Sequence, residues 1–157
     1  MLRFFSKNKE ITLKAPFKGE IVDIKEVDDP AFSTKMLGDG VAVRPNSNIA
    51  VAPCDGKIAQ IFPTNHAFGI ITKEGLEILV HIGIDTVNLK GEGFKRLVEV
   101  GTDVKKGTGI IEVDLNYIKK SGKDTITPVV ITNMDKVENM SKNLNNNEEI
   151  LKIKVKK

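Results

Sequence analysis

The stretch "FGIITKEGLEILVHIGI", residues 68–84, decides the fold. Two runs rich in Ile, Leu and Val flank "TKEG", a polar turn closed by Gly75, and together they read as a β-hairpin. The same design recurs along the chain. "GEIVDIKEV" (19–27), "GVAVRP" (40–45), "GKIAQIF" (56–62), "TGIIEVD" (108–114), "TPVVITN" (127–133) and "ILKIKVK" (150–156) are all short and β-branched. Gly, Pro, Asn and Asp punctuate them. This predicts an all-β domain, an antiparallel sandwich or barrel-like fold. The last run alternates Lys with Ile and Val, as an edge strand protected against unwanted pairing does.

Helical signals are few. "DPAFSTKML" (29–37) opens with a capping Asp and a proline at the first helical position, and "DLNYIKKSG" (114–122) runs from a capping Asp to a basic end and Gly. Each predicts a short helical turn. "KVENMSKNLNNNEE" (136–149) is polar and asparagine-rich and reads as a loop. An internal echo links "APFKGEIVDI" (15–24) with "APCDGKIAQI" (52–61), which share A-P-x-x-G-x-I-x-x-I: a proline-led turn, a glycine, then a strand. Two copies suggest two similar turn–strand units, too few for a solenoid.

At 157 residues the chain is expected to hold a flexible N-terminal segment over 1–10 and a single domain over 11–157. A net charge of +3, with scattered lysines and no aromatic–basic ladder, argues against nucleic-acid binding. One cysteine, Cys54, cannot form an internal disulfide and suits a reducing compartment. "MLRFFSKNKE" lacks the apolar core of a signal peptide, and no run reaches the ~20 apolar residues of a membrane helix, so a cytoplasmic protein is expected. Met1 and the Lys-rich end favour a free-standing chain over a piece of a longer permease without deciding between them. Residues 1–8 read as a frayed terminus, with a short amphipathic anchor as the alternative.

Only two histidines exist, His66 and His81. With 77–85 extended, Ile78, Val80, Ile82 and Ile84 share the core face, and Glu77, Leu79, His81, Gly83 and Asp85 the other. His81 then points away from the main core, dry but reachable. In "FPTNHAFGI" (62–70), Thr64, His66 and Phe68 fall on one face if the chain is extended, unless the turn-prone Asn65 breaks it. A hairpin centred near Lys73–Gly75 sets the two histidines almost opposite each other. Three chemistries compete for such a pair. Zinc needs a third protein ligand, and neither H-E-x-x-H nor H-x-H occurs. Acyl transfer needs a nucleophile in a strained turn, and G-x-S-x-G is missing. Phosphoryl transfer needs one imidazole as nucleophile, with a second imidazole and a hydroxyl as donors, and matches best.

"GLEILVHIGIDTV" (75–87) also resembles the signature around the phosphorylated histidine of the glucose-family IIA domains of the bacterial sugar phosphotransferase system. "APFKGEIV", "MLGDGVAV", "VAPCDGKI", "TNHAFGI", "LKGEGFKRL" and "TPVVITNMD" resemble the family's other blocks in order, over residues 11–156. The resemblance implies a compact antiparallel β-sandwich. It implies that His81 accepts a phosphoryl group from the histidine-containing phosphocarrier protein and passes it to a cysteine on the IIB domain of a glucose-type permease. His66 matches the supporting histidine and Thr64 a threonine hydrogen-bonded in that site. Neutral His66 N–H and the Thr64 hydroxyl would face the phosphoryl oxygens, and a backbone carbonyl such as that of Gly83 would fix the His81 tautomer. The docking patch maps onto Phe32, Met36, Leu37, Phe62 and Val87, with Asp29 and Asp85 as acidic rims for the phosphocarrier's arginines. No cofactor is required, zinc being possible only at a partner interface, and the protein is expected to be monomeric. Leu79 stands where relatives commonly carry an aromatic, and Cys54 is a bystander.

Two other readings compete. The echo and "VGTDVKKGTGII" (100–111) also resemble biotinyl and lipoyl carrier domains, but the nearest modifiable lysine, Lys35, lies in a helix-like segment without the flanking pattern. A zinc hydrolase on a similar β scaffold lacks its third ligand.

Overall fold

A computed structural model describes residues 9–157. Thirteen strands run through the described residues: β1 (Glu10–Leu13), β2 (Gly19–Asp23), β3 (Asp39–Pro45), β4 (Ile49–Val51), β5 (Gly56–Ile61), β6 (Ala67–Ile71), β7 (Glu77–His81), β8 (Phe94–Arg96), β9 (Asp103–Val104), β10 (Gly109–Val113), β11 (Thr127–Ile131), β12 (Val137–Lys142) and β13 (Leu151–Val155). Two short helices, α1 (Pro30–Ser33) and α2 (Leu115–Lys120), complete it, with single 3₁₀ turns between strands. Every strand pairing is antiparallel. The all-β reading therefore holds. Both helices start where the sequence places them, Asp29 accepting from Ala31 N (3.0 Å) and Asp114 from Tyr117 N (3.0 Å).

Seven strands form one sheet in the order β2-β3-β11-β7-β6-β5-β9, and two three-stranded sheets, β1-β13-β12 and β4-β10-β8, add to it. The centre of the large sheet is buried on both faces. Val41, Val43, Val129, Ile131, Ile78 and Val80 enter the main core, together with Ile111, Val113, Leu151 and Ile153 of the small sheets. The alternate residues Ala42 and Val130 enter a second, smaller cluster with Val22, Ile24, Val27, Phe32, Ile84 and Ile126, against which Leu79 packs. This is why β7 and β11 are apolar almost throughout. His81, two residues beyond Leu79, falls on the side of the smaller cluster.

The echoed segments meet in space. Lys14 N donates to Pro53 O (2.8 Å) and Val51 N to Pro16 O (2.8 Å), so the two proline turns brace each other before β2 and β5 diverge to opposite arms of the sheet.

Three expectations change. Residues 137–142, read within a loop, form β12: its polar side chains remain mostly exposed, and pairing with β13 organises the backbone. The Lys-alternating β13 is no edge; it lies between β1 and β12, with Leu151, Ile153 and Val155 buried and the lysines outward. Alternation reveals which face is wet and not how many neighbours a strand has. The strand carrying His81 ends there, so Ile84 turns into the smaller cluster instead of continuing the core face. The predicted terminal segment over 1–10 lies outside the described residues except at its end, where Lys9 O accepts from Val155 N (2.8 Å) and Glu10 pairs with Lys154.

The asparagine-rich loop has a structural task. Asn147 accepts from Gly19 N (3.1 Å) and donates to Gly19 O (2.9 Å), tying 143–149 to the start of β2. Asn147→Ala strands both backbone groups and is expected to cost about 1–3 kcal/mol. A lowered midpoint in urea unfolding checks this; an unchanged midpoint would contradict it.

Candidate functional site

β6 and β7 pair with Ala67 opposite His81 and Ile71 opposite Glu77, a hairpin turning at Lys73–Glu74 as predicted. His66 sits one residue before β6, its carbonyl accepting from Ile82 N (2.7 Å). It is freed from the face of Phe68, which is wholly in the main core. Asn65, at φ 62°, breaks extension between Thr64 and His66. The two imidazoles come together at 5.0 Å between centroids, edge to face at 81°.

His81 Nδ1 lies 2.8 Å from Gly83 O. A carbonyl only accepts, so Nδ1 carries the proton and Nε2 keeps a free lone pair. The loop after His81 is built to present that carbonyl. Thr86 Oγ1 donates to Ile82 O (2.6 Å), and Ile84 N donates to Asp124 O (3.0 Å). Gly83 has φ 77°, and a Cβ there would stand 2.6 Å from Thr86 Cγ2 and 2.8 Å from Asp124 O, so no side chain fits. His66 Nδ1 lies 2.6 Å from Thr64 Oγ1. The Thr64 hydroxyl is thus engaged by the second histidine.

Burial lowers the His81 pKa from its ordinary 6.5, overriding the opposing pull of the Gly83 carbonyl, Asp29 and Asp85. Burial, then the nearby His81, bring His66 down to about 4. Both rings are neutral at pH 7.

The docking residues divide. Met36 (74 % exposed), Leu37 (42 %) and Val87 (51 %) present apolar side chains to solvent. Phe62 is half-buried, its ring edge-on to His66 at 5.3 Å between centroids. Phe32, expected on the surface patch, is 2 % exposed in the smaller cluster, its ring 5.2 Å from that of His81. A one-turn helix packed on the sheet sends it inward, so it forms the floor under His81. Asp29 is half-buried with Oδ1 committed to the α1 cap, and Asp85 is exposed with φ 58°. His66 is 3 % exposed, whereas His81 is half-buried, so the surface reaches the pair through His81.

Among the described residues no group of three His, Cys, Asp or Glu side chains could hold a metal. Lys35 follows α1 with φ 64° and pairs with Asp39 (3.7 Å), unlike a lysine offered at a hairpin tip. Cys54 is buried, its thiol pushed up to about 12 by burial. Among the described residues no helix is long and apolar enough to cross a membrane. Arg96 lies in the block "LKGEGFKRL", to which the sequence reading assigns no role, and its Nε (3.0 Å) and Nη2 (2.9 Å) both donate to Asn65 Oδ1.

Residues 11–137 match the family described as phosphoenolpyruvate-dependent sugar phosphotransferase system, EIIA 1. The chain is 52 % identical over 139 residues to the PTS system glucose-specific EIIA component of Borreliella burgdorferi, covering 88 % of this chain and 74 % of that protein. It is 52 % identical over 119 residues to the PTS system glucoside-specific EIICBA component of Staphylococcus carnosus, covering 76 % of this chain and 17 % of that protein. The solved glucose permease IIA from Mycoplasma capricolum superposes with a TM-score of 0.84 at 38 % identity, over 96 % of this chain and 99 % of that one.

The depressed histidines have a consequence for stability. Below pH 6.5 the unfolded chain takes up protons that folded His66 refuses until about pH 4. Stability is therefore fully present above 6.5, falls as pH drops through that window, and levels below about 4; His66 alone accounts for roughly 3 kcal/mol. NMR titration is expected to find both rings below 6.5, and an ordinary titration of His66 would contradict the site.

Proposed function

Since the chain belongs to the EIIA 1 family of the phosphoenolpyruvate-dependent sugar phosphotransferase system and is a phosphotransferase component of sugar uptake, we propose that His81 Nε2 is the atom that carries the phosphoryl group. The observation that carries this reading is the Nδ1–Gly83 O contact, which commits one nitrogen and leaves the other nucleophilic.

Loading begins when the Nε2 lone pair attacks the phosphorus of a phosphohistidine on the phosphocarrier protein. The N–P bond on the donor breaks, and its electron pair returns to the donor's ring. In delivery a cysteine thiolate of the IIB domain attacks the same phosphorus, an S–P bond forms, and the pair of the broken Nε2–P bond returns to His81. The proton stays on Nδ1, donated to the Gly83 carbonyl, throughout. These steps balance without a metal or cofactor.

The phosphoryl oxygens need hydrogen-bond donors as they pass between nucleophiles. His66 supplies one if the Thr64 hydroxyl donates into Nδ1, because the proton then resides on Nε2. Thr64 therefore acts through His66 and not as a direct donor, since its single O–H is already used. Neutrality at pH 7 keeps His66 from competing for protons.

Partners of this kind dock on an apolar surround with a charged rim. Met36, Leu37, Val87 and Phe62 fit the first, and Asp29 and Asp85, which already favour positive charge at His81, fit the second. Arginines on the phosphocarrier would complement those carboxylates. The relative named EIICBA supports a partner on the permease side.

Phosphorylation from phosphoenolpyruvate through the general first enzyme and the phosphocarrier is the test. His81→Gln is expected to take up no acid-labile phosphate. His66→Gln is expected to load but to deliver roughly a hundredfold more slowly, the usual effect of removing one such donor. Labelled His81→Gln would overturn the assignment.

A further inference from the structure

The turn that leads into the second histidine is held by a residue from another sheet. Arg96 lies in β8, paired with Ile111 of β10 in the β4-β10-β8 sheet, while Thr64, Asn65 and His66 join β5 to β6 in the large sheet. Arg96 Nε and Nη2 both donate to the single oxygen Asn65 Oδ1, at 3.0 and 2.9 Å, and Arg96 is half-buried. Asn65 is the residue between Thr64 and His66 and holds φ 62°, the left-handed region that asparagine tolerates better than most non-glycine residues and that a partner on its side chain fixes further. Its N–H donates to Phe62 O (2.7 Å), which closes the turn but leaves the side chain free to choose a partner. The guanidinium fork takes that choice away. A lysine would offer a compact ammonium with no fixed fork and could not hold the amide in one plane.

We propose that Arg96 is a positioning residue for phosphoryl delivery: its fork on Asn65 fixes the left-handed turn that sets the Thr64–His66 pair, and through it the face His66 offers to a phosphoryl group on His81. The inference rests on the phosphohistidine reading above. Arg96 acts by geometry, because burial and His81 account for the His66 shift. Both steps need in-line alignment, but His66 faces the group once it sits on His81, so delivery is expected to depend on the placement of His66 more than loading does.

The test is a mutant cycle on the full chain, with Arg96→Ala, Arg96→Lys, Asn65→Gly and the Arg96→Ala/Asn65→Gly pair. Glycine adopts the left-handed turn without offering the acceptor. Loading from the phosphocarrier and delivery to the IIB domain are timed separately, and the ring nitrogens of His66 are followed by ¹⁵N NMR. Arg96→Ala is expected to slow delivery about tenfold, given that a misplacement of about 1 Å can cost a hundredfold, and to slow loading less than threefold. The ¹⁵N shifts of His66 should move from one tautomer towards a mixture. Arg96→Lys should fall between, and the paired variant should be no slower than Arg96→Ala. Delivery within twofold of the unaltered protein in Arg96→Ala would overturn the proposal. So would equal slowing of both steps with unmoved His66 shifts, or, if Arg96→Ala fails to fold, unaltered delivery in a folded Arg96→Lys. Labelling of His81→Gln overturns the phosphohistidine reading instead, so the two failures are distinguishable.

Discussion

One hydrogen bond organises the site: His81 Nδ1–H to the carbonyl of Gly83, 2.8 Å away. It makes one nitrogen of an ordinary imidazole a fixed donor and leaves the other with a free lone pair. Much nearby structure holds that carbonyl still. Gly83 is the residue that its φ of 77° and the closeness of Thr86 and Asp124 permit, and Thr86, fully buried, ties the loop to Ile82 O. Without this bond the ring could carry its proton on either nitrogen, and about half of its population would have the wrong one exposed if the tautomers were equal in energy.

The sheet gives the bond its setting. Because the centre of the large sheet is buried on both faces, the strand that ends in His81 is anchored by Ile78 and Val80 on one side and Leu79 on the other. The small cluster beneath Leu79 includes Phe32, whose ring supports His81 from below. The resulting position is dry enough to lower the histidine's pKa and open enough to remain half-exposed. A nucleophilic imidazole needs both: protonation would remove the lone pair, and full burial would keep partners away. The second ring is treated differently. It is almost wholly buried and held to the side by Thr64, which suits a group that steadies a ligand without meeting a partner.

Local rules made much of this legible in the sequence. Period-two patterning and turn residues are short-range signals, so the hairpin at Lys73–Glu74, the helix starts at Asp29 and Asp114, and the paired histidines could all be read. The histidines, read as almost opposite each other, stand so: Ala67 faces His81 across the ladder and His66 is its neighbour. What could not be read is long-range. β12 has a loop-like composition and forms because β13 offers its hydrogen bonds. Phe32 is as apolar as Met36, and only the packing of α1 sends one inward and the other out. Arg96 sits in the family-like block "LKGEGFKRL", but its partner is 31 residues away and no local pattern joins the two.

The most direct test of the central bond is to identify the nitrogen that carries phosphorus, by ¹⁵N–³¹P NMR of the ¹⁵N-histidine-labelled phosphoprotein. Phosphorus is expected on Nε2 of His81, with the Nδ1 proton retained. Phosphorus on Nδ1 of His81, or on either nitrogen of His66, would contradict it.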